Sequence, residues 1–146
     1  MYRWPQHGIA VILLGLALAN CSSAPAADIV IGAQGCDRNR LTLVSTREPN
    51  LLVENSTTQA MVVSLPDLNN SVTVPPGQRA NLAIQPFFWG QAEYYCLTET
   101  DHTAAGGNMA NGLVCGLDSY SIRPLALSSG TLTVEQHDRA EQFATQ

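Results

Sequence analysis

The chain contains no lysine: its seven basic residues are all arginine, set against twelve acidic residues for a formal charge of −5. The arginines are scattered and form no stripe that could track phosphates, which excludes nucleic acid as a partner. Histidine is almost as scarce, with His7, His102 and His137 the only three. Such scarcity leaves little from which to assemble a Ser or Cys triad, and the sequence has no GxSxG elbow, no HExxH pair and no phosphate-cradling glycine loop. No enzyme is expected. Long helical periodicity is absent, and with 146 residues, of which 13% are charged, the chain can bury one modest core but not two.

What is present begins at the N-terminus. Arg3 gives a positive start, and the run Gly8–Ala19 is apolar and uncharged but too short to span a bilayer comfortably. Residues 1–20 therefore read as a signal peptide. The end of that run, Leu18-Ala19-Asn20-Cys21, resembles the lipobox of bacterial lipoproteins, with Asn20 standing where Gly, Ala or Ser is usual. The resemblance implies lipidation of Cys21, a membrane anchor, and a short flexible tether over 21–27; Ser22 implies an outer-membrane destination. A competing small-x-small site, Ala24-Pro25-Ala26, would instead release a soluble secreted or periplasmic protein. Export favours paired thiols, yet Cys36, Cys96 and Cys115 survive either cut, and three cannot all pair with one another.

From Asp28 onward the pattern is β. Short Val-, Leu-, Ile- and Thr-rich runs recur between turn signals: DIVI, LTLV, LLVEN, MVVS, SVTV, NLAI, AEYYC and TLTV. Pairs such as Val72 and Val74, or Leu132 and Val134, alternate with the period of a half-buried strand. Pro75-Pro76-Gly77 and the segment PFFWG mark corners. About eight strands over 28–135 predict an all-β sandwich or barrel. The interval 97–129 is too long for an ordinary connection, and its SYSI and LVC segments suggest a local hairpin. The polar tail 136–146 reads as a frayed helix or a disordered end.

The order of motifs resembles the cupredoxin-like fold: an early strand, LLVENSTTQAMVVSLPDL, SVTVPPGQ, FFWGQAEYYC and finally GTLTVE. Gly35-Cys36 ahead of LTL is similar to the EfeO-type cupredoxin-like domains. The resemblance implies a Greek-key β-sandwich with a long insertion before the last strand, and a bridge from Cys36 to a late cysteine. Cys96 fits that position by strand order, while Cys115-Gly116-Leu117 fits it by local sequence, so both pairings stand open.

It also raises copper, whose trigonal blue site needs two imidazoles, a thiolate and a weak axial thioether. Where the first histidine would stand, this chain has Ala60-Met61-Val62, and both His102 and Met109 follow Cys96 at wider spacings than the family's. A complete blue-copper site is not expected. A soft Met61, Cys96, His102, Met109 set for Cu(I) is the alternative, and it requires Cys96 to be reduced. Under the bridge reading Cys96 belongs to the scaffold and His102 is an exposed loop residue. Glu93, Glu99, Asp101 and Asp118 offer either a harder cation site with His102 or a solvated acidic face. Phe87, Phe88 and Trp89 would plug the end of the sandwich, or contact a partner. The expected function is an exported, lipid-anchored, non-catalytic binding or accessory module of the cell envelope, with an envelope protein as a possible partner.

Overall fold

The computed structural model describes residues 23–45, 49–85, 88–106 and 119–136. Its strands are β1 (Ile29–Gly32), β2 (Gly35–Cys36), β3 (Arg40–Ser45), β4 (Asn50–Asn55), β5 (Met61–Leu65), β6 (Asn70–Val74), β7 (Arg79–Ala83), β8 (Gly90–Thr98) and β9 (Ser128–Gln136). Two short helices, α1 (Glu99–Ala104) and α2 (Ser119–Ile122), lie between β8 and β9. The strands form a four-stranded sheet in the order β2-β1-β4-β7 and a five-stranded sheet in the order β3-β9-β8-β5-β6. The pairs β1–β4 and β3–β9 are parallel and the others antiparallel, and consecutive strands pair only in β1–β2, β5–β6 and β8–β9. This is the expected all-β sandwich of two sheets, with the long insertion before its last strand.

Period-two alternation builds the interior. Ile29 and Ile31 of β1, Leu51 and Val53 of β4, and Leu132 and Val134 of β9 are turned inward and almost fully buried. With Met61, Val63, Leu65, Tyr94 and Cys96 they form one apolar cluster between the sheets. Each fully buried aliphatic side chain stabilises by about 1.5–3 kcal/mol against exposure, so this cluster is the main support of the fold. A second, smaller cluster lies on the outer side of the five-stranded sheet: Val62, Tyr95, Leu97 and Ile122, with Ala105 and Ala126 packed against it. The insertion supplies that cover, which is why β5 is buried along its whole length.

Nine strands are described, the two-residue β2 carrying too little pattern to be seen in sequence. Two sequence expectations need correction. SYSI forms α2 and not a hairpin; Ile122 anchors it by entering the outer cluster. The last strand continues to Gln136, one residue into the expected tail, whose remainder lies outside the described residues, as do residues 1–20. The Pro75-Pro76-Gly77 corner is a tight turn, with Gln78 N donating to Pro75 O at 3.1 Å and Gly77 at φ +66°.

Gly130 is dictated by packing. It stands opposite Tyr94 in the β8–β9 ladder, and a Cβ there would collide with the tip of the Tyr94 ring. The ring cannot retreat easily, since it is fully buried and its hydroxyl donates to Arg38 O at 2.6 Å. Gly130→Ala is therefore expected to destabilise the domain by about 1–3 kcal/mol. Gly32→Ala, where a Cβ meets only Gly35 O at 4.0 Å, should stay within roughly 0.5 kcal/mol of the parent. Urea unfolding of the two variants measures the difference.

Candidate functional site

The exit of β8 and the start of the insertion gather most of the chain's unusual chemistry. Cys96 sits on the inner face of β8, fully buried. Its sulfur is bonded to that of Cys36 across a sequence separation of 60 residues, with the two Cα atoms 5.8 Å apart. Since β2 belongs to the four-stranded sheet and β8 to the other, the bond ties the two layers together. On a chain-entropy model, a loop of this length contributes about 4 kcal/mol by restricting the unfolded chain.

The local sequence explains how β2 comes so close. Ser128 is the ladder partner of Cys96, and its Oγ accepts the backbone N–H of Cys36 at 2.8 Å. Gly35 must be glycine here, because its φ is +103° and a Cβ would run into the Ser128 side chain. Gly35-Cys36, Cys96 and Ser128 thus form one latch. The sequence reading found both cysteines but missed Ser128, which carries no pattern apart from its strand partner.

Asn55, which closes the LLVEN run, organises the neighbouring corner. It is fully buried at the end of β4. Its Nδ2 donates to Gln59 O at 2.7 Å and Val74 O at 2.8 Å, and its Oδ1 accepts from Thr57 N at 2.9 Å and Thr57 Oγ1 at 2.7 Å. The amide thereby satisfies every group it buries. The Asn55-Ser56-Thr57 triplet is a structural turn, with its asparagine side chain fully engaged.

His102 requires the largest correction. It lies on α1 and only 2% of its surface is exposed, so it is not an exposed loop residue. Thr98 starts the helix: its Oγ1 accepts the N–H of Asp101 at 3.0 Å and donates to Asp101 Oδ2 at 2.8 Å. The spacing Thr98-x-x-Asp101 is the capping signal that could have revealed the helix in sequence. Glu99 N donates to Ala60 O at 3.1 Å, fastening α1 beside β5. Ala105, three residues beyond His102, packs on the outer cluster. Neither ring nitrogen of His102 has a hydrogen-bond partner. Burial holds its pKa below the ordinary histidine value, partly offset by Glu99, so the ring is neutral at pH 7.

The remaining candidates separate. Met61 lies on β5, opposite Thr98, and is fully buried in the core between the sheets. Cys21, Met109, Cys115 and Asp118 fall outside the described residues, as does Phe87. Phe88 is partly buried against the core, as a plug would be, while Trp89 remains 47% exposed. Glu93 faces Arg123, at 3.0 Å, and accepts the Tyr95 hydroxyl at 2.5 Å; this hydrogen bond is the main reason its carboxyl pKa is lowered. The trio pins the segment after α2 to the sheet, and its half-exposed Glu93–Arg123 pair adds little to stability. Among the described residues no group of three or more His, Cys, Asp or Glu side chains is placed to hold a metal ion. No helix among them is long and apolar enough to cross a membrane.

These residues do not fit a blue-copper centre. The Cys96 sulfur is bonded to carbon and to sulfur and offers no thiolate. His102 is the only histidine among the described residues, and Ala60 precedes Met61 where the resemblance would put the other imidazole.

The buried, unpartnered ring of His102 makes stability depend on pH. Its folded pKa lies below the unfolded value of about 6.5, so the unfolded chain binds the proton more readily. Its contribution is fully present above that pH and is lost as pH falls toward the folded pKa. His102→Leu is expected to match or exceed the parent's stability at pH 7.5 and to lose less of it between pH 7 and pH 5, as read from urea midpoints.

Comparison with known proteins gives likeness of layout only. No protein-family model matches the chain, and no curated protein matches it. Among solved structures, amicyanin from Paracoccus versutus (Thiobacillus versutus) is 13% identical at a TM-score of 0.44, covering 77% of this chain and 86% of that one. Dithionite-reduced auracyanin from the photosynthetic bacterium Roseiflexus castenholzii is 13% identical at a TM-score of 0.43, over 73% of this chain and 94% of that one. A multicopper oxidase is 12% identical at a TM-score of 0.39, over 76% of this chain and 42% of its own. Likeness of this degree says nothing of activity.

Proposed function

We propose that this chain is an exported, lipid-anchored, non-catalytic binding or accessory module of the bacterial cell envelope, held on the membrane through Cys21. In this reading residues 1–20 are removed, 21–27 form the tether, and the sandwich is presented to the periplasm, where an envelope protein is its partner. The observation that carries the reading is the Cys36–Cys96 bond. It uses as a cross-link the one sulfur that the fold's electron-transfer chemistry would need as a ligand, and it suits an oxidising compartment.

A second reading, Cu(I) handling by Met61, Cys96, His102 and Met109, is favoured by one feature, the two unpartnered ring nitrogens of His102. It becomes chemically possible only after the bond is reduced. One preparation separates the two. The protein, expressed in a bacterium fed labelled palmitate and purified from its membranes, should carry label that Cys21→Ala removes. It should also bind no Cu(I) before reduction. An unlabelled soluble product would refute the anchor, and one equivalent of copper held by the unreduced protein would refute the scaffold role of Cys96.

A further inference from the structure

Strand β3 ends its sheet: it pairs with β9 and, among the described residues, with no other strand. The groups it leaves unpaired follow from the geometry of parallel pairing, in which each residue points its N–H and C=O to one side and successive residues alternate. Thr131 N donates to Asn39 O at 2.9 Å, so Asn39, Leu41 and Leu43 face β9 with their backbone groups. Arg40, Thr42 and Val44 turn theirs outward. The side chains of these three are exposed, Val44 at 54%, whereas Leu41 and Leu43 turn toward the core.

This edge carries one charged residue, Arg40, but no proline and no bulge, and its register with β9 is unbroken from Arg40 to Ser45. The other edges differ. Strand β2 is two residues long, β6 presents Ser71 and Thr73 and runs into Pro75-Pro76, and on β7 Arg79 is taken up by Glu54 and by Pro25 O.

We propose that β3 pairs with β3 of a second copy of this chain, antiparallel and centred on Thr42, joining two five-stranded sheets into one. Residues directly opposite in an antiparallel pair share a face, and residues whose groups point outward must lie opposite one another to bond. Centring on Thr42 sets Thr42 against Thr42 and Arg40 against Val44 of the other copy. Every outward N–H and C=O of the three residues is then paired. A shift of two residues in either direction leaves one of them unpaired, and a shift of one puts leucines opposite outward side chains.

Charge fits the same register. Glu135 is the β9 partner of Val44 and is exposed. The second copy's Arg40 would therefore lie beside Val44, with Glu135 one strand further on. Its methylenes cover the exposed valine and its guanidinium extends toward the carboxylate. The two-fold axis repeats the row on the other side, giving an isologous interface.

The test is sedimentation of the full chain carrying Cys21→Ser and Cys115→Ser, which leaves Cys36 and Cys96 as its only cysteines. A concentration-dependent dimer is expected. Thr42→Pro removes an outward donor without breaking a bond to β9 and should abolish the dimer. Arg40→Glu should weaken it, and adding Glu135→Arg should restore it, a rescue that no folding defect would mimic. Thr42→Cys should cross-link to itself on oxidation, since a hydrogen-bonded antiparallel pair sets Cα atoms about 5.5 Å apart, while Thr73→Cys on β6 should not. A monomer at every concentration, a dimer that survives Thr42→Pro, or failure of the charge exchange to rescue overturns the proposal.

Discussion

The arrangement depends on a latch in which β2 is drawn onto the opposite sheet at the Cys96–Ser128 pair. Three constraints act together there: a covalent bond between Cys36 and Cys96, a hydrogen bond from Cys36 N to Ser128 Oγ, and a glycine whose missing side chain lets the strands approach. The core between the sheets is small, and a domain of this size keeps only about 5–15 kcal/mol of net stability. A cross-link contributing about 4 kcal/mol is a large share of that. The same bond decides the chemistry, because a half-cystine cannot donate a thiolate to a metal.

The insertion completes the structure on the opposite side of the five-stranded sheet. Tyr95 and Leu97 alternate with Tyr94 and Cys96 along β8, so without cover they would be left in water. Ile122 of α2 closes over them and Ala105, just beyond α1, packs beside it. His102 is buried on the helix that Thr98 initiates. Its neutrality at pH 7 is a consequence of that burial, and its lack of a partner marks the one place among the described residues where buried polar side-chain atoms go unsatisfied.

Much of the fold was legible because the strands alternate. LLVEN, SVTV, AEYYC and TLTV all form strands, and Val74, Leu132 and Val134, placed by alternation, face inward. The unreadable parts have physical reasons. Strand β2 is set by a bond and a close approach between residues distant in sequence, not by its own pattern. SYSI has no helical periodicity at four residues, and only tertiary contact through Ile122 fixes it. At the site, the early and late cysteines were visible, but the choice between Cys96 and Cys115 lay in three dimensions. His102 reads as a loop residue because α1 is too short to show helical periodicity, although Thr98-x-x-Asp101 is a helix-start signal.

The claim on which the rest turns is that Cys96 is scaffold. Peptide mapping of the unreduced protein tests it most directly, because digestion without reductant keeps linked fragments together. The account predicts a single covalent pair joining the Cys36 and Cys96 peptides. Recovery of Cys36 joined to Cys115, with the Cys96 thiol free, would contradict it.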